Sequence, residues 1–154
     1  MKLKILIADE GPVSRSILKS SLLQWGCEVV AVEDGKKACT ALLAGDIDLC
    51  ILSWNTPELN GLEICHWIRQ AGLHKTPYTI LMTEDPQPQE MSAAYLAGAD
   101  DFLTKPLRLK EVRERARLVA TKTAQVRSMH AQLRRMDPLE CYRLDLALHG
   151  KVQH

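Results

Sequence analysis

The sequence lacks any apolar run long enough to cross a membrane. Its amino-terminal segment, residues 1–9, holds a brief apolar run cut off by acids, so it also lacks the apolar core of a signal peptide. With 46% hydrophobic and 25% charged residues, the composition is that of an ordinary globular protein. We therefore expect a cytoplasmic protein with no membrane partner, and 154 residues suit one compact domain plus an appendage.

Paired cysteines and metal-binding spacings are also missing. The five cysteines are odd in number and none stands in a Cys-x-x-Cys spacing, which argues against a disulfide framework or a zinc site. The five histidines are scattered without the spacing of metal ligands. No nucleophile with its base and no cofactor fingerprint stands outside the motifs described below, so we expect no enzyme.

The net charge of +1 conceals an uneven distribution. Residues 108–136 hold nine Lys or Arg against two Glu, a net +7, and the remainder carries −6. This predicts an acidic globule followed by a basic helix, which would meet an acidic partner or nucleic acid. A solvated helix whose charges only keep the protein soluble is the favoured alternative and nucleic acid is an unlikely partner, because the basic segment has no aromatic residue and no recognition motif.

Short apolar runs alternate with segments of helical periodicity. This alternation predicts an α/β fold, with a parallel sheet and helices on both faces. The predicted strands are Lys4–Ala8, Cys27–Val32, Leu49–Ser53, Tyr78–Thr83 and Asp101–Leu103.

Polar residues follow or close four of these strands. Asp9 and Glu10 come after the first, Ser53 closes the third, Thr83 closes the fourth and Lys105 follows the fifth. Because an open α/β sheet builds its site at the carboxyl ends of its strands, we expect these side chains to meet there.

Four motifs carry a resemblance to a known family. They are Ile-Leu-Ile-Ala-Asp-Glu (5–10), Ser-Trp-Asn-Thr-Pro-Glu-Leu-Asn-Gly-Leu-Glu (53–63), Ile-Leu-Met-Thr (80–83) and Ala-Gly-Ala-Asp-Asp-Phe-Leu-Thr-Lys-Pro (97–106). In order and spacing they resemble the receiver domain of a two-component response regulator, of the chemotaxis-regulator type, over about three quarters of the chain. The resemblance implies a doubly wound, flavodoxin-like sheet of five parallel strands in the order 2-1-3-4-5.

The resemblance also implies roles for individual residues. Ser53 occupies the position of the phosphate-accepting aspartate, so the chain departs from the family at the reactive atom. Asp9 and Glu10 match the acids on the metal side of the pocket, and Asn55 matches the residue whose backbone carbonyl binds the metal. Thr83 and Lys105 match the hydroxyl and the cation that contact the phosphoryl group.

Two further positions complete the match. Phe102 corresponds to the aromatic residue that changes rotamer on activation, and lacking a phenolic hydroxyl it could act only sterically. Lys105-Pro106 corresponds to a dipeptide joined by a cis bond in the family, which proline makes accessible. In the family, the residue directly after the position of Thr83 is usually small, whereas here Glu84 and Asp85 follow it. Their negative charges would repel a phosphodonor.

Replacing the acceptor carboxylate by Ser53 changes the chemistry expected of the pocket. An alcohol needs a neighbouring base, and no histidine lies in the motif to take its proton. The metal also loses one anionic ligand, so Asp9 and Glu10 would hold Mg²⁺ only weakly or not at all. We hypothesise that Lys105 instead bonds directly to Asp9 or Glu10.

The last helix carries an apolar seam that steps by three and four residues. Its first half is expected to be core, and its second half needs a partner helix, so a coiled coil, an antiparallel pair or an acidic partner remain alternatives. Basic flanking residues disfavour a parallel homodimer. The seam residues are Leu109, Val112, Ala116, Val119, Thr123, Val126, His130 and Leu133.

We predict a receiver domain at 1–120, an extension of the last helix at 121–136 and a short tail at 137–154. The segment where the extension meets the tail, Met136-Asp137-Pro138-Leu139, weakly resembles the entry of a diguanylate cyclase domain. A short helix, a disordered tail and the remnant of a larger domain are the alternatives for it.

Three functions remain in competition. The favoured one is a phosphorylation-independent receiver that acts as a protein-interaction module, through a signalling partner or a homodimer. The second is a switch that uses Ser53 as an atypical acceptor or binds an anion near Lys105. The third is a nucleic-acid adaptor working through the basic helix.

Overall fold

The structure, a computed structural model, describes residues 2–135 and 137–149, without some side chains from residue 130 onward. The chain divides into two compact units, residues 1–120 and 121–154. Eleven elements lie in the described part: β1 (Lys4–Ala8), α1 (Pro12–Gln24), β2 (Glu28–Val32), α2 (Gly35–Ala44), β3 (Leu49–Ser53), α3 (Gly61–Gln70), β4 (Tyr78–Thr83), α4 (Pro88–Ala97), β5 (Asp101–Thr104), α5 (Leu109–Arg135) and α6 (Pro138–His149).

The first unit is built on a five-stranded parallel sheet in the order β2-β1-β3-β4-β5. The predicted fold class and strand order are thus confirmed. All strands run the same way, so the polar residues that follow β1, β3, β4 and β5 share one edge of the sheet. Strand order reverses between β1 and β3, and this is where such sheets form their binding crevice.

Two apolar layers cover the sheet, and alternate residues of each strand supply them. In β1, Ile5 and Ile7 face the layer formed with α1 and α5, whereas Leu6 and Ala8 face the layer formed with α2, α3 and α4. The first half of the α5 seam is core as expected, because Val112, Ala116 and Val119 are all buried. Leu109, at its start, remains partly exposed.

Two strand boundaries differ slightly from the predicted ones. β2 begins at Glu28, because the amide of Cys27 donates to the carbonyl of Leu22 and closes the turn after α1. Gly26 makes that turn with a φ of 85°, a left-handed conformation that glycine adopts without strain. β5 extends to Thr104, which pairs with Thr83 of β4.

The connection from β3 to α3 is tightly fixed. Asn60 and Glu63 form a capping box at the start of α3, with bonds of 2.9 and 3.0 Å between side chains and amides. Gly61 lies so close to β3 that a Cβ there would approach the carbonyl oxygen of Ser53 to 2.8 Å. The loop therefore holds the end of β3 in place.

The second unit contains the distal part of α5 and the helix α6. Asp137 caps α6 by accepting from the amides of Leu139 and Glu140. Val126 and Met129 are exposed on α5, whereas the predicted seam side chains of His130 and Leu133 lie outside the described part. Residues 136 and 150–154, which belong to the predicted extension and tail, also lie outside it.

Among the described residues, no helix combines the length and the apolar character that crossing a membrane requires.

Candidate functional site

Asp9 forms the floor of the pocket at the carboxyl edge of the sheet. It follows β1 directly and is fully buried. Its Oδ1 accepts from the Gly11 amide at 3.0 Å, and its Oδ2 accepts from the Ser14 hydroxyl at 2.6 Å. The guanidinium of Arg15 donates to its backbone carbonyl at 2.7 Å. The first turn of α1 thus fixes this carboxylate.

Ser53 closes β3 beside Asp9, and the residue is only 2% exposed. Its hydroxyl donates to Oε1 of Glu10 at 3.3 Å and accepts from Nζ of Lys105 at 3.3 Å. A hydroxyl carries one donor and two acceptor positions, so both kinds are already engaged within the protein.

Lys105 joins the acids of the pocket. Its Nζ lies 3.2 Å from Oδ1 of Asp9 and 3.8 Å from Oε1 of Glu10. The contact with Asp9 is the direct bond that we hypothesised from the sequence. The Lys105-Pro106 peptide bond is cis, as the resemblance implied. An ammonium group therefore pairs with the buried carboxylate.

The structure corrects one expectation about Ser53. The Ser53 hydroxyl donates a hydrogen bond to the carboxylate of Glu10, which therefore lies where a base would. A carboxylate is nevertheless a much weaker base for an alcohol than the imidazole that usually activates a serine hydroxyl.

Sequence reasoning missed the contributions of Ser14 and Arg15 to the pocket. Both lie in the first half of α1, five and six residues after Asp9. A polar residue early in the helix that follows a buried strand-end acid is the signal that could have found them. The predicted site residues were chosen from strand ends alone, which excluded helix positions.

The remaining predicted residues lie near the pocket without joining the hydrogen bonds described above. Asn55 is exposed in the loop after β3. Thr83 is half-buried at the end of β4, where its carbonyl accepts from the Lys105 amide at 2.8 Å. Phe102 is half-buried and packs edge-on against Tyr95 of α4, with ring centroids 4.9 Å apart. Their roles stay predictions.

This pocket offers too few free ligands to bind tightly the magnesium ion that the resemblance implies. Lys105 contacts Oδ1 of Asp9, and Ser14 and Gly11 also bond its carboxylate. Within the described residues, no group of three His, Cys, Asp or Glu converges on a cation position. Mg²⁺ keeps its waters and usually needs one or two free carboxylates, which leaves Glu10 as the accessible ligand.

Comparison with known proteins identifies the family. A sequence model of the response regulator receiver domain matches residues 5–117. Response regulator MprA of Mycolicibacterium vanbaalenii is 33% identical over 123 residues, which are 80% of this chain and 52% of that protein. Two-component response regulator ORR1 of Oryza sativa subsp. japonica is 31% identical over 119 residues, covering 71% of this chain and 52% of the relative. The chain thus spans about half the length of these curated relatives.

Solved structures show the same fold. A two-component response regulator from Clostridium difficile superposes with a TM-score of 0.73 and 25% identity, covering 79% of this chain and 98% of the other. The chemotaxis protein CheY4 of Vibrio cholerae gives a TM-score of 0.72 at 23% identity, covering 77% of this chain and 99% of the other. The match to this second structure shows the fold alone.

Proposed function

Since this chain belongs to the response regulator receiver domain family of two-component signalling, we propose that it is a pseudo-receiver that signals without being phosphorylated. In this proposal it has no catalytic activity of its own. It works as a cytoplasmic protein-interaction module that a signalling partner binds. Residues 1–120 form the module, residues 121–136 extend its last helix, and residues 137–154 are the separate tail.

One observation carries the proposal. The position of the phosphate acceptor holds Ser53, and its hydroxyl is enclosed between Glu10 and Lys105 at 3.3 Å each. Phosphoryl transfer depends on positioning and on cations that neutralise the transferring group. Here the cation nearest the hydroxyl is engaged with buried Asp9, and within the described part of the chain no third acid joins Asp9 and Glu10 to help hold a metal.

The partner surface that we propose combines the last helix with the surface beside β4 and β5. Tyr95 and Leu96 are exposed there on α4, and Arg115 of α5 is ion-paired with Asp101 of β5. A homodimer through α5 is the alternative use of this helix.

Beryllofluoride with Mg²⁺ tests the proposal, because it mimics the phosphoryl group on an acceptor carboxylate. We expect amide NMR spectra of the protein to be unchanged by the reagent, since Ser53 offers no carboxylate. The matched variant Ser53→Asp restores that group and should shift the amides around Asp9, Thr83 and Lys105. Shifts of similar size in the unmodified protein would overturn the proposal.

A second candidate function rests on the contact between Glu10 and Ser53. With a carboxylate 3.3 Å from its hydroxyl, Ser53 could accept a phosphoryl group as a serine ester. Its test is the stability of any label formed with acetyl phosphate, because a phosphoserine ester survives conditions that hydrolyse an acyl phosphate. A stable label on Ser53 that disappears in Ser53→Ala would establish this function in place of the first.

A further inference from the structure

A cavity of about 240 Å³ lies at the amino edge of the sheet, at the other end of the strands from Ser53. It lies between the end of α3, the residues that lead into β4 and the turn that joins α4 to β5. Every residue that lines it belongs to the first unit. Its volume falls below the roughly 300–1,000 Å³ of pockets that take drug-sized ligands, so it suits a smaller molecule.

The floor of the cavity is mainly apolar. Cys65 and Ile68 of α3 are 2% and 7% exposed, and half-buried Leu73 packs against the same core layer. Thr79 of β4 is also buried there, but its hydroxyl already donates to the carbonyl of Pro77 at 3.3 Å. A ligand would therefore meet carbon and sulfur atoms at the floor, which favours a small aliphatic group.

Arg69, near the end of α3, supplies a cation to the exposed side of the cavity. Its Nη1 donates to the carbonyl of Leu96 at 2.6 Å, which fixes the guanidinium. A Cβ on Gly98 would lie 3.4 Å from both Nε and Nη2 of this arginine, so the glycine leaves these two nitrogens uncovered. Among the described residues, none accepts a hydrogen bond from Nε or Nη2. Two parallel donors on one guanidinium are the geometry that binds a carboxylate.

Asp100, in the turn before β5, supplies an anion to the same cavity. Two backbone contacts with Thr79 fix it: its amide donates to the Thr79 carbonyl, and its Oδ2 accepts from the Thr79 amide, both at 2.8 Å. Asp100 is exposed, and no group in the described part of the chain donates to its Oδ1. This fixed carboxylate thus offers one free oxygen, which can accept a hydrogen bond from an ammonium group.

The two opposite charges line one cavity without pairing with each other. In the residues that the structure describes, no ion pair within 4.0 Å joins Arg69 to Asp100. Both charges nevertheless act on the floor. Burial raises the pKa of the Cys65 thiol to about 12, and of the two charges the Asp100 carboxylate raises this pKa while the Arg69 guanidinium lowers it. A cation and an anion therefore stand apart beside an apolar floor.

We propose that this cavity, here called the α3–α4 cavity, binds a free α-amino acid with a small aliphatic side chain. The carboxylate of the ligand accepts from Nε and Nη2 of Arg69, and its ammonium donates to Oδ1 of Asp100. Its side chain packs on Cys65 and Ile68. The inference goes beyond the proposed function, because no part of it depends on whether Ser53 is phosphorylated.

L-valine and three analogues, each lacking one of its groups, provide the probes. Amide NMR of the full chain should show saturable shifts with valine at roughly millimolar concentrations, centred on the amides of Thr79, Gly98 and Asp100. Isobutylamine lacks the carboxylate, 3-methylbutanoate lacks the ammonium and glycine lacks the aliphatic group. Each analogue should bind at least tenfold more weakly than valine, since each leaves one part of the cavity without its partner.

Single variants assign the binding to the two charges. Asp100→Asn removes the charge but keeps an oxygen for the Thr79 amide, and it should weaken valine binding about tenfold or more. Arg69→Gln should weaken it to a similar degree. Asp46→Asn is the matched control, because Asp46 is an exposed loop residue that does not line the cavity, and binding should be unchanged. Circular dichroism checks that each variant folds.

Absence of saturable shifts with valine, or equal affinity for valine and its analogues, would overturn the inference and leave the two charges as solvated surface groups. An equal loss in Asp100→Asn and Asp46→Asn would do the same. These outcomes leave the proposed function standing, because that depends on Ser53 and the beryllofluoride experiment. Conversely, a spectrum changed by beryllofluoride with valine binding intact would reject the proposed function alone.

Discussion

The hydroxyl of Ser53 is smaller than the carboxylate of an acceptor aspartate, and the residues around it fit that smaller group. The Ser53 hydroxyl donates a hydrogen bond to Glu10 and accepts one from Lys105. Lys105 also pairs with Asp9. The site is thus a closed network of two acids, one base and one alcohol. Such a network is stable only while each buried polar group keeps its partner.

Lys105→Met tests the strength of this network. The substitution leaves the fully buried Asp9 carboxylate without its cation, although Ser14 and Gly11 still bond to it. We expect the free energy of unfolding to fall by about 2–4 kcal/mol, since an uncompensated buried charge is costly. Urea denaturation measures the change.

The control for this prediction is the double variant Asp9→Asn with Lys105→Met, which removes both charges. It should be more stable than Lys105→Met alone, because no unpaired charge remains. A loss below about 0.5 kcal/mol in the single variant would show that the pair contributes little.

Cys65 provides a pH-dependent test of the core. Burial, and secondarily the nearby carboxylate of Asp100, raises the pKa of its thiol from 9.0 to about 12. The folded state thus holds the thiol proton more tightly than the unfolded chain, and this stabilisation is complete below pH 9. The free energy of unfolding should therefore decline as pH rises from 9 toward 12.

Cys65→Ala isolates this contribution. The variant lacks the thiol, so its stability should decline less steeply with pH than that of the unmodified protein. Urea titrations at several pH values between 8 and 11 give both slopes. If stability declined equally steeply with pH in the two proteins, folding would not raise the pKa of the Cys65 thiol.

At the residue scale, the sequence predicted which groups meet but not how they bond. The four motifs and the strand ends placed Asp9, Glu10, Ser53 and Lys105 at one edge. The hydrogen bond that Ser53 donates to Glu10 and the role of Ser14 depend on side-chain rotamers, which neither periodicity nor spacing determines.

The elements that shape the site are held by close packing between β3 and α3. A Cβ on Gly61 would lie 2.7 Å from Cδ2 of Leu81 and 2.8 Å from the carbonyl oxygen of Ser53. The backbone at the end of β3 could make room for such a Cβ only by moving Ser53. The glycine thus sets the distance between the loop and the pocket.

Gly61→Ala should therefore be destabilising despite the helix propensity of alanine. We expect a loss of about 1–3 kcal/mol in the free energy of unfolding, the range of overpacked substitutions. Thermal unfolding measures it, and the amide signals of Ser53 and Trp54 should shift as well. A variant as stable as the parent, with unchanged signals, would show that the loop relaxes easily.

Element boundaries were predictable where burial decides them. β1, β3 and β4 begin and end at the predicted residues, because each strand consists mainly of apolar residues and four or five of its residues are buried. The start of β2 was missed by one residue, since the hydrogen bond from Cys27 to Leu22 belongs to the preceding turn. The spacing of the α5 seam predicted that the first half of the helix is buried. It did not determine what packs against the second half.

At the scale of the whole molecule, the net positive charge is concentrated in one segment. Residues 108–136 carry a net +7 and the rest −6. Composition reveals this asymmetry, but it cannot say which partner uses it. That nucleic acid does not bind the basic helix stays a prediction, as does a homodimer through α5.

The central claim is that this receiver domain works without accepting a phosphoryl group. Its most direct test is the intact mass of the full chain after incubation with a phosphorylated sensor kinase and Mg²⁺, with Ser53→Asp as the variant that regains a carboxylate. We predict an unchanged mass for the unmodified protein under conditions that label the variant. One phosphoryl group per chain on the unmodified protein would contradict the account.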